Sequence, residues 1–90
     1  LREVRLQWNN IESMDLSNNT LLESLALPGN QLQGILDVSM CENLTELNVS
    51  MNSGLTCIKV SAFQLDAINN NDPNFNWEFD SGVTLSLDCN

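Results

Sequence analysis

The stretch Leu44-Thr45-Glu46-Leu47-Asn48-Val49-Ser50-Met51-Asn52 has apolar side chains at its first, fourth and sixth positions and asparagine at its ninth. Written L-x-x-L-x-L-x-x-N, this unit can be followed in both directions along the 90-residue chain. Upstream it recurs as Leu22, Leu25, Leu27, Asn30, as Ile11, Met14, Leu16, Asn19, and as Leu1, Val4, Leu6, Asn9. A copy at Leu32, Leu36, Val38, Cys41 slips by one residue at its start. Downstream come Leu55, Ile58 and Val60, with Phe63 where asparagine is expected. The anchors at 4, 14, 25, 36, 47 and 58 are spaced 10, then 11 throughout. Alternate copies share the forms M-D-L-S, L-D-V-S and I-K-V-S, so a half-repeat of 10–11 residues is nested in a full repeat of 21–22. The L-x-L core has a period of two, which predicts a short strand in each copy and excludes a steady helical pattern. The polar stretches 18–20, 29–31 and 52–54 between copies read as turns.

Composition narrows the function classes. Lys and Arg total 3, Asp and Glu total 12, and histidine is absent, for a net charge of −9. Nucleic acid is excluded as a partner, since no cationic surface exists for phosphates, and so is docking on anionic lipid. Apolar residues at 42% suffice for a packed core. No apolar run is long enough to enter a membrane as a spanning helix. Without histidine the commonest general base is missing, which lowers the expectation of an enzyme. The chain opens inside a repeat, without a start methionine or signal peptide, so we expect a processed chain or a trimmed piece of a longer one.

These residues resemble the leucine-rich repeat family, in its bacterial form with nested 21–22-residue units. The resemblance covers about residues 1–60. The tail is similar to the ending of secreted leucine-rich proteins of Bacteroidetes-type bacteria: Leu55-Thr56-Cys57-Ile58-Lys59-Val60, then Trp77, then Asp88-Cys89. Residues 62–72 do not match that ending. The resemblance implies a β-dominated solenoid, a short right-handed coil stack with little helix. Residues 1–60 would form about six half-repeats and residues 61–90 a small C-terminal cap.

In a solenoid the apolar positions stack into one core. Each turn leaves backbone polar groups inside that need partners. An inward asparagine offers two donors and an acceptor, so Asn9, Asn19, Asn30 and Asn52 are expected to form a structural ladder. Cys41 holds the same position in the fourth copy and is expected to be a buried free thiol. With Cys41 so used, Cys57 and Cys89 remain as a disulfide pair that would pin the tail over the last repeat and imply an oxidising compartment. The alternative is three reduced thiols. In the tail, 62–68 reads as one or two helical turns and 69–74 as loop. The alternations Phe75, Trp77, Phe79 and Val83, Leu85, Leu87, Cys89 flank the turn signal Asp80-Ser81-Gly82 and suggest a small hairpin or extended pair.

The middle residue of L-x-L points away from the core. Alternate copies then display two surfaces. One carries Asp15, Asp37 and Lys59, each followed two residues on by Ser17, Ser39 and Ser61, a repetition that suggests a role in turn geometry. The other varies: Arg5, Ala26 and Asn48 at the middle, flanked by Glu3, Ser24 and Glu46 and by Gln7, Pro28 and Ser50. Variation on a fixed frame marks a recognition surface. We take Arg5, Gln7, Trp8, Ala26, Glu46 and Asn48 as candidate ligand-binding residues. Trp8 is included because no repeat position requires it and exposed tryptophan is a frequent anchor. It can equally pack on a coil missing from the N-terminal side.

No catalytic or metal-binding set is expected, and no cofactor. Asp72-x-Asn74-x-Asn76 starts like a calcium loop but lacks the glycine and glutamate that complete one. Glu78 and Asp80 show no spacing suited to paired-carboxylate chemistry and read as solvated charge. Asn18, Asn43 and Asn48 begin N-glycosylation acceptor triplets, which matter only in a eukaryotic host. The expected function is a non-catalytic binding module of a secreted or cell-surface protein, recognising a protein or polysaccharide. The alternative is the structural capping or spacer end of a longer solenoid.

Overall fold

A computed structural model describes residues 2–6 and 8–89. The elements run β1 (Glu3–Arg5), β2 (Ser24–Ala26), β3 (Gln33–Asp37), β4 (Glu46–Asn48), β5 (Gly54–Lys59), α1 (Ala62–Asn69), β6 (Asn76–Glu78) and β7 (Thr84–Ser86). Two parallel sheets result, a first in the order β1-β2-β4-β6 and a second in the order β3-β5-β7. From β2 onward, successive strands alternate between them. The pairing register has the period of the full repeat: Val4 lies beside Leu25 and Leu25 beside Leu47 in the first sheet, and Leu36 beside Ile58 in the second.

The inward residues of both sheets meet in one core. Leu25 and Leu47 from the first sheet and Leu36 and Ile58 from the second join Leu22, Leu27, Leu32, Leu44, Val38, Val49 and Val60, all fully buried. The copy at Ile11–Asn19 does not form the strand its L-x-L core predicts. Only ten residues separate its anchor from the preceding one. Two backbone bonds hold it beside β3, from the Gln31 N–H to the Ile11 carbonyl (3.0 Å) and from the Gln33 N–H to the Glu12 carbonyl (3.2 Å). The slip between Leu32 and Leu36 coincides with a shift in β3–β5 register between Gly34 and Ile35, where Gly34 takes φ +69°. A left-handed residue also follows each of the strands β1, β2 and β4 of the first sheet by three positions, at Trp8, Gly29 and Met51.

Between strands, buried side chains satisfy the backbone in two rows. Asn30 Oδ1 accepts from the Ile11 N–H (3.2 Å) while its Nδ2 donates to the Leu6 carbonyl (2.7 Å). One step on, Asn52 Oδ1 accepts from the Leu32 N–H (3.1 Å) and its Nδ2 donates to the carbonyls of Leu27 (3.0 Å) and Val49 (2.8 Å). The second row starts with Cys41, whose thiol donates to the carbonyls of Asn19 (3.4 Å) and Leu16 (3.7 Å). It continues one step later through Gln64, whose Nε2 donates to the carbonyls of Val38 (2.9 Å) and Cys41 (2.8 Å). Gln64, next to Phe63, thus does what an asparagine was expected to do there, and Phe63 itself is exposed. Asn19 is half-buried and Asn9 exposed.

Residues 61–89 do not form the hairpin their turn signal suggests. The strands β6 and β7 extend different sheets, with Trp77 beside Leu47 and Leu85 beside Ile58. The step from Leu47 to Trp77 is longer than the others because it contains α1. Ser61 caps that helix and forms a reciprocal box with Gln64, which explains its start after Val60. Asp80, half-buried, is more than solvated charge. Its carboxylate accepts from the N–H groups of Met51 (3.0 Å) and Asn52 (3.2 Å). Trp77 Nε1 donates to the Leu44 carbonyl (3.2 Å). A disulfide joins Cys57 of β5 to Cys89, Cα to Cα 5.9 Å. The loop it closes contributes roughly 3–4 kcal/mol on the chain-entropy argument. Cys41 is the free cysteine.

Replacing Gln64 with Leu strands two buried carbonyls and opens the helix cap. It is expected to cost about 3 kcal/mol, seen as a fall in Tm of roughly 10–20 °C. Thiol titration of unreduced protein is expected to find none in the native state and one after denaturation, mapped to Cys41; any native reactivity contradicts its burial.

Candidate functional site

The register that turns Val4, Leu25 and Leu47 inward turns their neighbours outward in two rows. Glu3, Ser24, Glu46 and Asn76 form one, and Arg5, Ala26, Asn48 and Glu78 the other. Neighbouring strands lie ~4.8 Å apart, so four residues span ~14 Å. The small side chains of Ser24 and Ala26 stand between longer ones, leaving a cavity of about 270 Å³ lined by Arg5, Ala26, Glu46, Asn48, Asn76 and Glu78 as well as Ser24. Its lining is mainly polar. Two of its residues have local partners. The Arg5 guanidinium is paired with Glu3 (2.8 Å). Asn48 Oδ1 accepts from the Ser50 N–H (3.1 Å) and hydroxyl (2.7 Å).

Of the residues singled out in the sequence, Arg5, Ala26, Glu46 and Asn48 therefore meet at one depression. Trp8 is not part of it. Its ring packs on Gly29, where any Cβ would collide with it, and it remains 66% exposed. Gln7 lies outside the described residues. Asn76 and Glu78 were not anticipated, because α1 displaces their strand from the repeat spacing.

The second sheet's face is built differently. Asp15 accepts from the Ser17 N–H (3.0 Å) and hydroxyl (2.7 Å), and Asp37 from those of Ser39 (2.9 and 2.6 Å). Asp37 also pairs with Lys59 at 4.0 Å. These are turn-stabilising contacts. The Ser17 bonds hold the Asp15 carboxyl below its ordinary range. For Asp37, burial pushes the carboxyl up, but the Ser39 bonds and the Lys59 charge together outweigh it and hold it low. Burial, with Asp37 nearby, pushes the Cys41 thiol up, so the sulfur stays protonated and unreactive.

A larger cavity, of about 520 Å³, lies at the N-terminal end of the first sheet's strands. Glu23, Thr45 and Phe75, which immediately precede β2, β4 and β6, contribute to it. Glu42, Phe63 of α1 and Asp72 complete most of its wall. These residues are spread over some fifty positions, and no local sequence signal connects them. Asp72 accepts from the Asn74 N–H (2.9 Å) in a tight turn. Among the described residues, no group of three or more His, Cys, Asp or Glu side chains is placed to hold a metal ion.

The folded-state carboxyl of Asp37 sits below its unfolded value, so its contribution to stability is present above the ordinary carboxylate range and lost as pH falls through the lowered one. Asp37→Asn keeps the acceptor but not the titration. It is expected to flatten the decline of Tm on acidification below about pH 4, measured beside the parent; an unchanged acid profile contradicts this. No family model, no curated protein and no solved structure matches this chain.

Proposed function

We propose that the chain is a leucine-rich-repeat solenoid acting as a non-catalytic binding module of a secreted or cell-surface protein. The strand pairing at 21–22-residue intervals and the Asn30–Asn52 and Cys41–Gln64 rows support the fold assignment. The disulfide between Cys57 and Cys89 supports an oxidising, extracellular home. No helix among the described residues is long and apolar enough to cross a membrane.

The observation that carries the binding role is the depression formed by Arg5, Ala26, Glu46 and Asn48 across three neighbouring strands. Its residues differ from step to step while the core positions beneath them stay apolar. The ligand is a protein or a polysaccharide that offers hydrogen-bonding groups to this polar floor.

Filling the depression tests this. Ala26→Arg projects a long side chain into it, whereas Thr84→Arg makes the same charge change on the second sheet. A glycan array and a display library of secreted proteins are screened with the parent domain. Signal is expected to fall at least tenfold with Ala26→Arg and to persist with Thr84→Arg. Signal that survives Ala26→Arg removes the face from consideration. No signal from either library supports a spacer role instead.

A further inference from the structure

The larger cavity differs in chemistry from the face beside it. Its wall combines three carboxylates, Glu23, Glu42 and Asp72, with two phenylalanines, Phe63 and Phe75. Phe63 is 56% exposed although it stands on the only helix among the described residues. It leans on Phe75 edge to face, with centroids 6.0 Å apart, and Phe75 in turn contacts Trp77 at 6.2 Å. That chain of rings fixes Phe63 over the groove, with more than half of the residue left to solvent.

The chain's own cations do not fill this site. Arg5 pairs with Glu3 and Lys59 with Asp37, both away from it. Arg2 reaches only the rim, where it meets Glu23 at 3.3 Å between two well-exposed side chains. Such a pair is weak. Among the described residues no cation pairs with Glu42 or Asp72. A chain of net charge −9 thus presents an aromatic surface beside two carboxylates, Glu42 and Asp72, that lack a counter-charge among the described residues.

We propose that this groove is a second binding site, which takes a lysine or arginine side chain from a basic peptide segment of a partner protein. The alkyl stem lies along Phe63 and Phe75 and the charged head reaches Glu42 and Asp72. Aromatic faces attract cations through their quadrupole, and lysine and arginine stems cover apolar surface while their heads stay polar. A volume of about 520 Å³ admits one such side chain with its flanking backbone. The site does not depend on the proposed role of the sheet face.

The test uses the whole domain and a tetralysine peptide, with its fully acetylated form and spermidine as comparison probes, followed by calorimetry at low salt. Tetralysine is expected to bind and the acetylated peptide not to. Glu42→Gln with Asp72→Asn is expected to weaken binding about fivefold. Phe63→Ala, which leaves the net charge unchanged, is expected to weaken it about threefold. The Ala26→Arg variant adds positive charge elsewhere and shows how far overall charge alone moves the affinity. Phe63 is exposed, so its variant keeps the fold, which an unchanged Tm verifies. Equal affinity of Phe63→Ala and parent overturns the proposal in favour of diffuse attraction. So does equal binding of the acetylated peptide. Spermidine binding as tightly as tetralysine overturns the peptide as occupant and assigns the groove to small amines.

Discussion

The structure depends on how backbone groups that are turned inward between strands find partners. Strands of three residues supply few ladder bonds, and the segments between them carry carbonyls and amides into the core. Left without partners, each would cost on the order of 1–3 kcal/mol. Asn52 alone serves four of them, through one acceptor and two donor hydrogens. Cys41 offers only a weak thiol donor at the same kind of position, and Gln64 answers the carbonyl of Cys41 itself. No buried side-chain polar atom among the described residues is left without a partner. The apolar core fills the space between these rows, but the rows hold each turn to its neighbour.

The same constraint separates positions with different freedom. Asp15, Asp37 and Asn48 spend their side-chain oxygens on the serine two residues later. Ser24, Ala26 and Glu46 have no such repeated turn contact and differ in size and charge. The depression over β2 is a direct result: two short side chains in one strand, between longer ones on either side. Side chains can vary there without touching a core residue.

The regular part of this architecture was legible in the sequence. The 21–22-residue spacing reappears as strand register, and Asn30 and Asn52 stand where the turns need them. What was not legible came from longer-range effects. Asp80-Ser81-Gly82 marks a turn correctly, but a turn tripeptide says nothing about which sheet receives the next strand. The eight residues of α1 displaced Trp77 from its expected interval and hid its equivalence to Leu47. Gln64 has a longer side chain than asparagine and reaches its carbonyls from a helix, one position past the expected one. Asp80 looked like surface charge because its partners, Met51 and Asn52, lie 29 and 28 residues away. The acidic groove was invisible for the same reason, since its wall is assembled from four separate segments.

The side-chain rungs also bear on how the chain reaches its native state. Asn30, Cys41, Asn52 and Gln64 reach back to carbonyls between 22 and 26 residues earlier, apart from shorter local bonds. The disulfide and the Trp77 bond, at 32 and 33, extend that range only slightly. No such contact requires the chain to close a loop much longer than a third of its length. Because closure entropy rises only with the logarithm of loop length, each successive step meets nearly the same entropic barrier as the one before. Growth from any already formed pair of turns is then a series of similar additions, a zipper with its last tooth at Cys89, and the oxidation of Cys57 with Cys89 can follow assembly without having to guide it.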